Sequence, residues 1–162
     1  MKTAIVYYTL EGHAKKVAQA VAEKLGGTTL FELRCKRPYA NTGAAKYLRA
    51  SKDTLAGLKP ELEPIDFDAS AFDLVVIAAP CWAGKPAAPV NTFLAEHDLA
   101  GVRRGAIITC KAEGALRKYA EAMRERCGLA AGDPVLAVCE RQLADPEELA
   151  EAVATFCERC EG

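Results

Sequence analysis

Six consecutive residues, Thr9-Leu10-Glu11-Gly12-His13-Ala14, are the part of this sequence best placed to bind an anion. They follow an apolar run, Lys2-Thr-Ala-Ile-Val-Tyr-Tyr8, and precede a segment in which Val17, Ala18, Val21, Ala22 and Leu25 recur at helical spacing. The first reads as a strand buried on both faces and the second as an amphipathic helix with Lys15, Lys16, Gln19 and Glu23 outward. A strand that feeds a helix through a tight glycine turn aims unpaired backbone N–H groups, and the positive end of the helix dipole, at one point. Phosphate is the usual occupant of such a point. His13 is placed either to donate to that anion or to cap the turn.

Other side chains invite chemistry with less support. Pro80-Cys81-Trp82-Ala83-Gly84 carries the only tryptophan, in what reads as a glycine-containing loop after a strand, where a flat ring could stack on a ligand. The competing role is a loop tryptophan capping the sheet edge. Cys81 reads as a small buried thiol, and Tyr7 and Tyr8 as core. His97 ends a helix, a favourable place for a partial positive charge. Cys157-x-x-Cys160 ends the last helix, although a redox pair wants its first thiol at a helix N-terminus, and no second pair completes a four-ligand zinc site. Arg103-Arg104 reads as solvated surface. The sequence thus predicts no catalytic residue and no metal site.

The elements that must position these residues alternate along the chain. Strands are expected at Thr28–Arg34, Phe72–Ala79, Gly105–Cys110 and Pro134–Cys139, besides the first. Helices are expected at about Ala44–Leu58, Ala88–Glu96 and Ala115–Cys127, and from Asp145 onward, where an Asp N-cap precedes Pro146 and two acids. A loop with Lys36-Arg-Pro-Tyr39 and Asn41-Thr-Gly43 follows the second strand. Five strands alternating with helices imply a parallel sheet covered on both faces. Ligands of such sheets sit beyond the strands' carboxyl ends, where strand order reverses. The loops 9–14, 80–86 and 110–114, with Cys110 and Lys111, end there.

Length and composition set the frame. The 162 residues are expected to form a single domain, residues 1–162, burying roughly 70% of the unfolded surface. The 21 basic and 22 acidic residues interleave, for a net charge of −1, which excludes a nucleic-acid footprint or a polybasic membrane patch. No stretch approaches the roughly 20 apolar residues of a membrane span. The apolar run after Lys2 is broken by Glu11, His13 and Lys15, so no secretory signal is expected. Seven cysteines, an odd number, point to a reduced, cytoplasmic setting.

Motif tests narrow the users of the anion site. The Gly-x4-Gly-Lys-Ser/Thr loop of nucleotide triphosphatases is absent, and Gly12 stands alone where a dinucleotide fold needs three glycines. Ala79-Pro80-Cys81 lacks a receiver domain's aspartate. Cys110 and Arg117 are one residue too far apart for a Cys-x5-Arg phosphatase.

What remains resembles the flavodoxin family. Its Ser/Thr-x-Thr-Gly-x-Thr type phosphate loop is matched by Thr9–Ala14, with Glu11 and Ala14 standing where the family has hydroxyl residues. Lys36-Arg-Pro-Tyr39, Asp73-Leu-Val-Val-Ile-Ala-Ala-Pro-Cys-Trp-Ala-Gly84 and Pro89-Val-Asn-Thr-Phe-Leu94 are similar to segments of one branch. The resemblance implies a doubly wound three-layer sandwich of order 2-1-3-4-5. It implies FMN as cofactor, held by Thr9–Ala14, Pro80–Gly84, Cys110 and Lys111, and a role as an electron carrier between redox partner proteins. Losing two hydroxyl donors and adding an acid should weaken phosphate binding, each lost charge-assisted hydrogen bond costing about 1.5–3 kcal/mol. Two alternatives stay open: an NAD(P)H-dependent quinone or flavin reductase using Lys36, Lys85 and Lys111 for nucleotide phosphates, and a binding module without FMN. A monomer and a homodimer are both compatible with the sequence.

Overall fold

A computed structural model describes residues 1–40 and 42–162; Asn41, in the expected Asn41-Thr-Gly43 loop, lies outside them. Strand β1 (Thr3–Tyr7) is followed by α1 (His13–Leu25), β2 (Thr28–Glu32), α2 (Leu48–Leu55), β3 (Leu74–Trp82) and β4 (Lys85–Pro86). Then come α3 (Pro89–Glu96), β5 (Arg103–Cys110), α4 (Leu116–Cys127), β6 (Val135–Cys139), α5 (Glu140–Ala144) and α6 (Pro146–Glu161). Five strands form a parallel sheet in the order β2-β1-β3-β5-β6, which is the expected 2-1-3-4-5.

Residue type explains why the sheet is covered twice. Ala4, Ile5 and Val6 of β1, and Leu74 to Ala79 of β3, are fully buried, so neither face of these stretches meets water. One face packs against Val17, Ala18 and Val21 of α1 and Leu149, Val153 and Phe156 of α6. The other packs against Val90 and Phe93 of α3 and Met123 and Cys127 of α4. Cys157 and Cys160 are buried in the α1/α6 layer, where burial raises their thiol pKa values to about 11 and about 12. They are packing groups there. Asp145 caps α6 by accepting from the amides of Glu147 and Glu148 at 3.0 and 3.2 Å, as its sequence signature implies.

Several boundaries differ from the sequence expectation. β3 does not stop at Ala79 but continues through Pro80 to Trp82, and pairs antiparallel with β4, a sixth short strand. The proline costs no ladder bond. The Ala78 carbonyl accepts from Tyr8 N–H at 2.9 Å, and two residues later Pro80 faces the same side, where β1 has already ended. Its carbonyl instead accepts from Ala87 N–H at 3.0 Å. β2 ends at Glu32 rather than Arg34, and the expected helix over 44–58 is a short 3₁₀ turn at Ala44–Lys46 followed by α2. Arg103 and Arg104 lie within β5, where Arg104 donates to the Cys127 carbonyl at 3.2 Å beside the end of α4 and is partly buried. His97 follows α3 and packs its ring on Phe93 and Phe67, with centroids 4.8 and 5.2 Å away.

Phe93 is the largest of the fully buried side chains. Phe93→Ala should therefore cost about 3–5 kcal/mol in urea unfolding, whereas Leu48→Ala, at a position 75% exposed, should stay within about 0.5 kcal/mol.

Candidate functional site

The carboxyl ends of β1, β3 and β5 open into one cleft of about 340 Å³, at the lower end of the range for small-ligand sites. Strand order reverses between β1 and β3, so the cleft lies at the sheet's switch point. Of the thirteen residues anticipated from the sequence, twelve line it: Thr9, Leu10, Glu11, His13 and Ala14 from the first turn, Pro80 to Gly84 from the end of β3, and Cys110 and Lys111 from the end of β5. Gly12 is absent from the lining, but it builds the turn. Its φ of +94° is a left-handed conformation that a side chain disfavours, although there is open space where a Cβ would stand. Thr9 Oγ1 accepts from Gly12 N–H at 2.9 Å, and Gly12's carbonyl accepts the first helical bond, from Lys16 N–H at 3.0 Å. The amides of His13, Ala14 and Lys15, in the first turn of α1, have no intrahelical acceptor.

Glu11 is not the bare acid that the sequence implied. It accepts from the Tyr47 hydroxyl and forms an ion pair with Lys46, and His13 Nδ1 lies 3.9 Å from its other oxygen. Hydrogen bonding to Lys46, then to Tyr47, holds its carboxyl below the usual glutamate range. Lys111 sits with its ammonium 4.4 Å from the centre of the Tyr47 ring. The phenol therefore joins the first turn, the 44–47 segment and the loop after β5. Sequence reasoning missed Tyr47, Ser51, Tyr119 and Glu140, all of which also line the cleft. Glu140 brings a third ligand atom within 4.8 Å of those of Glu11 and His13, although Glu11 is committed to Lys46 and Tyr47.

Trp82 ends a strand and does not sit in a loop. It is 3% exposed, with its ring at steep angles to Tyr8 (5.3 Å, 84°) and Tyr39 (4.9 Å, 68°). Tyr8 is core, as expected, and so is Tyr7. Ala83 and Gly84 then turn the chain with φ of +50° and +80°, a two-residue hairpin in which an alanine holds a left-handed conformation. Cys81 is partly buried and borders the cleft, more open than the sequence implied. Burial pushes its thiol up to about 11, against the Gly84 amide, which hydrogen-bonds the sulfur. Cys110 is likewise raised to about 11 by burial and by the neighbouring Cys81 and Cys139. The three lysines considered for nucleotide phosphates do not converge. Lys111 borders the cleft, Lys36 is paired with Glu61 at 2.5 Å in a separate groove, and Lys85 stands on β4.

A family model for flavodoxin matches residues 2–134. The chain belongs to the flavodoxin family. A flavoprotein from Lactobacillus acidophilus NCFM, solved in complex with FMN, is 25% identical with a TM-score of 0.66, over 88% of this chain and 96% of that one. A point-mutant flavodoxin from Pseudomonas aeruginosa (21% identity, TM-score 0.57) and a flavodoxin from the domain Archaea (15%, 0.54) share the fold over the whole of both chains. No match was found among curated proteins. In this flavodoxin-family chain no helix of the described residues is long and apolar enough to cross a membrane.

The thiol environments yield a direct test. Cys81 is the one cysteine that is not buried, and with its pKa near 11 only the small thiolate fraction reacts. Below that value the fraction rises with pH, so iodoacetamide modification of Cys81, followed by mass spectrometry of the folded protein, should quicken about tenfold per pH unit between pH 7 and 10. A rate already level at pH 8 would contradict the buried environment.

Proposed function

We propose that this chain binds FMN in the cleft and carries electrons between redox partner proteins. The observation that carries the reading is the coincidence, in one cleft, of an uncapped helix N-terminus at the Thr9–Ala14 turn with apolar strand ends beside it. The donor set fits the nucleotide. The first-turn amides and the Thr9 hydroxyl suit a phosphate, while Pro80 to Gly84, Cys110 and Tyr119 offer the apolar walls a flat ring system needs. The L. acidophilus flavoprotein, solved with FMN, supports the same ligand. FMN, when bound, supplies reversible one- and two-electron redox chemistry.

The protein's own contribution is binding, orientation and exclusion of water. The α1 dipole and amides hold the anion at one end. Elsewhere on the lining, the Cys81 and Cys110 thiols stay neutral at physiological pH, because both titrate near 11, and add no charge of their own. The scattered Lys36, Lys85 and Lys111 favour a carrier over an NAD(P)H-dependent reductase, whose nucleotide phosphates need cations that converge.

The test is uptake followed by turnover. Flavin-free protein should quench FMN fluorescence on titration. In Gly12→Ala the flavin-free turn should relax out of the left-handed region and FMN must restore it, so binding should weaken about tenfold, matching the roughly 1–2 kcal/mol cost of holding an alanine there. Loaded protein, reduced chemically, should pass electrons to a one-electron acceptor such as ferric cytochrome c while leaving NADH and NADPH unconsumed. Sustained NAD(P)H oxidation by the protein alone would move the assignment to the reductase.

A further inference from the structure

The phosphate turn contains its own anion. Glu11 lies between Thr9 and Gly12, and its carboxylate is held by two donors from outside the turn, the Lys46 ammonium and the Tyr47 hydroxyl. Those donors come from a segment that follows β2, and Lys111 stands behind the Tyr47 ring. A lysine ammonium and a phenol hydroxyl converging on one oxyanion, with a second ammonium 4.4 Å from the phenol ring, form an anion site already filled by a side chain. Its occupant is attached to the loop whose amides are expected to receive a phosphate. The charged and titratable groups nearby are Lys46, Lys111 and His13 on one side of the balance, and Glu11 and Glu140 on the other.

We infer that Glu11 is an internal competitor for the phosphate of the flavin, and that Lys46 and Tyr47 are phosphate ligands which it occupies until the nucleotide displaces it. This deepens the FMN reading and rests on it. An arriving phosphate dianion meets the Glu11 carboxylate at close range, and the two cannot both stay near the turn without shared cations. Lys46 has a four-carbon stem with free rotation. From a carboxylate on the turn, its ammonium needs only a side-chain rearrangement to reach an anion on the turn's amides. The exchange replaces one charge-assisted pair by another, so the phosphate adds less to affinity than its contacts alone would give. Selection of FMN over riboflavin, which lacks the phosphate, is correspondingly weak in this chain. Glu11 thus sets specificity through Lys46 and Tyr47 and takes no part in redox chemistry.

The experiment compares dissociation constants of FMN and riboflavin, by flavin fluorescence quenching, in the unaltered protein and in Glu11→Gln, Lys46→Met, Tyr47→Phe and Glu11→Gln/Lys46→Met. The informative quantity is the ratio of the riboflavin constant to the FMN constant, because a change that does not act through the phosphate moves both flavins together and leaves the ratio fixed. Glu11→Gln should raise the ratio about tenfold, the lower end of the value of a charge-assisted hydrogen bond. Lys46→Met and Tyr47→Phe should each lower it, and the double variant should lose most of the gain. An unchanged or lowered ratio in Glu11→Gln, with flavin still bound, overturns the competitor role while leaving the FMN reading intact. Failure of every one of these proteins to bind either flavin overturns the FMN reading, and this inference with it.

Discussion

Everything in this molecule hangs on burial of β1 and β3 on both faces. A strand with no wet face must take its backbone partners from strands on either side, and helices must cover it above and below. With helices as the connections, the neighbours can only run parallel, and their carboxyl ends finish together at one edge of the sheet. The register makes this concrete: Tyr7 pairs with Ala78, and Ala78 in turn with Ile107, so the chain leaves β1, β3 and β5 within a few residues of a common level. The cleft is the space between those departures. Its twelve anticipated residues come from three distant parts of the sequence, and no local interaction brings them together. The sheet does.

Within that frame the first turn sets the chemistry. Gly12 is required by backbone conformation and not by crowding, because space stands open where its Cβ would be. A residue with φ near +94° lets the chain reverse sharply from β1 into α1 and leaves the first-turn amides pointing outward. The hairpin after β3 performs a similar turn less comfortably, since Ala83 holds φ +50° where a glycine or asparagine is easier. Backbone strain of this kind persists only when the surroundings over-determine it. Here the β3/β4 pairing and the buried Trp82 fix both ends of the turn.

Much of this was legible in the sequence, for identifiable reasons. A short apolar run, a glycine turn and a helix of period 3.6 are local signals, so β1, α1 and the turn between them could be placed from their own residues. The strand order and the two-sided packing followed from the alternation of elements and the family resemblance. Two kinds of feature were not legible. Pro80 looked like a strand terminator because its missing N–H normally costs a ladder bond. That cost vanishes only because β1 ends short of it on the facing side, which is a fact about register. Trp82 was displaced from loop to strand by the same error, and with it from a free platform to a ring wedged against Tyr8 and Tyr39.

The second kind concerns charge. From sequence, Glu11 could be judged only by what it replaced, and an acid beside a phosphate turn reads as a defect. Its partners Lys46 and Tyr47 sit beyond β2, in a stretch whose pattern suggested one long helix and therefore gave no reason to fold back over the turn. The 3₁₀ turn at Ala44–Lys46, joined through Tyr47 to α2, brings them there. Once they do, the acid is no longer an isolated repulsive charge but one half of a pair, and its effect on a ligand depends on how readily that pair exchanges. The same residue type at the same position thus has opposite meanings in the chain and in the fold. The difference lies in two donors that only tertiary structure supplies.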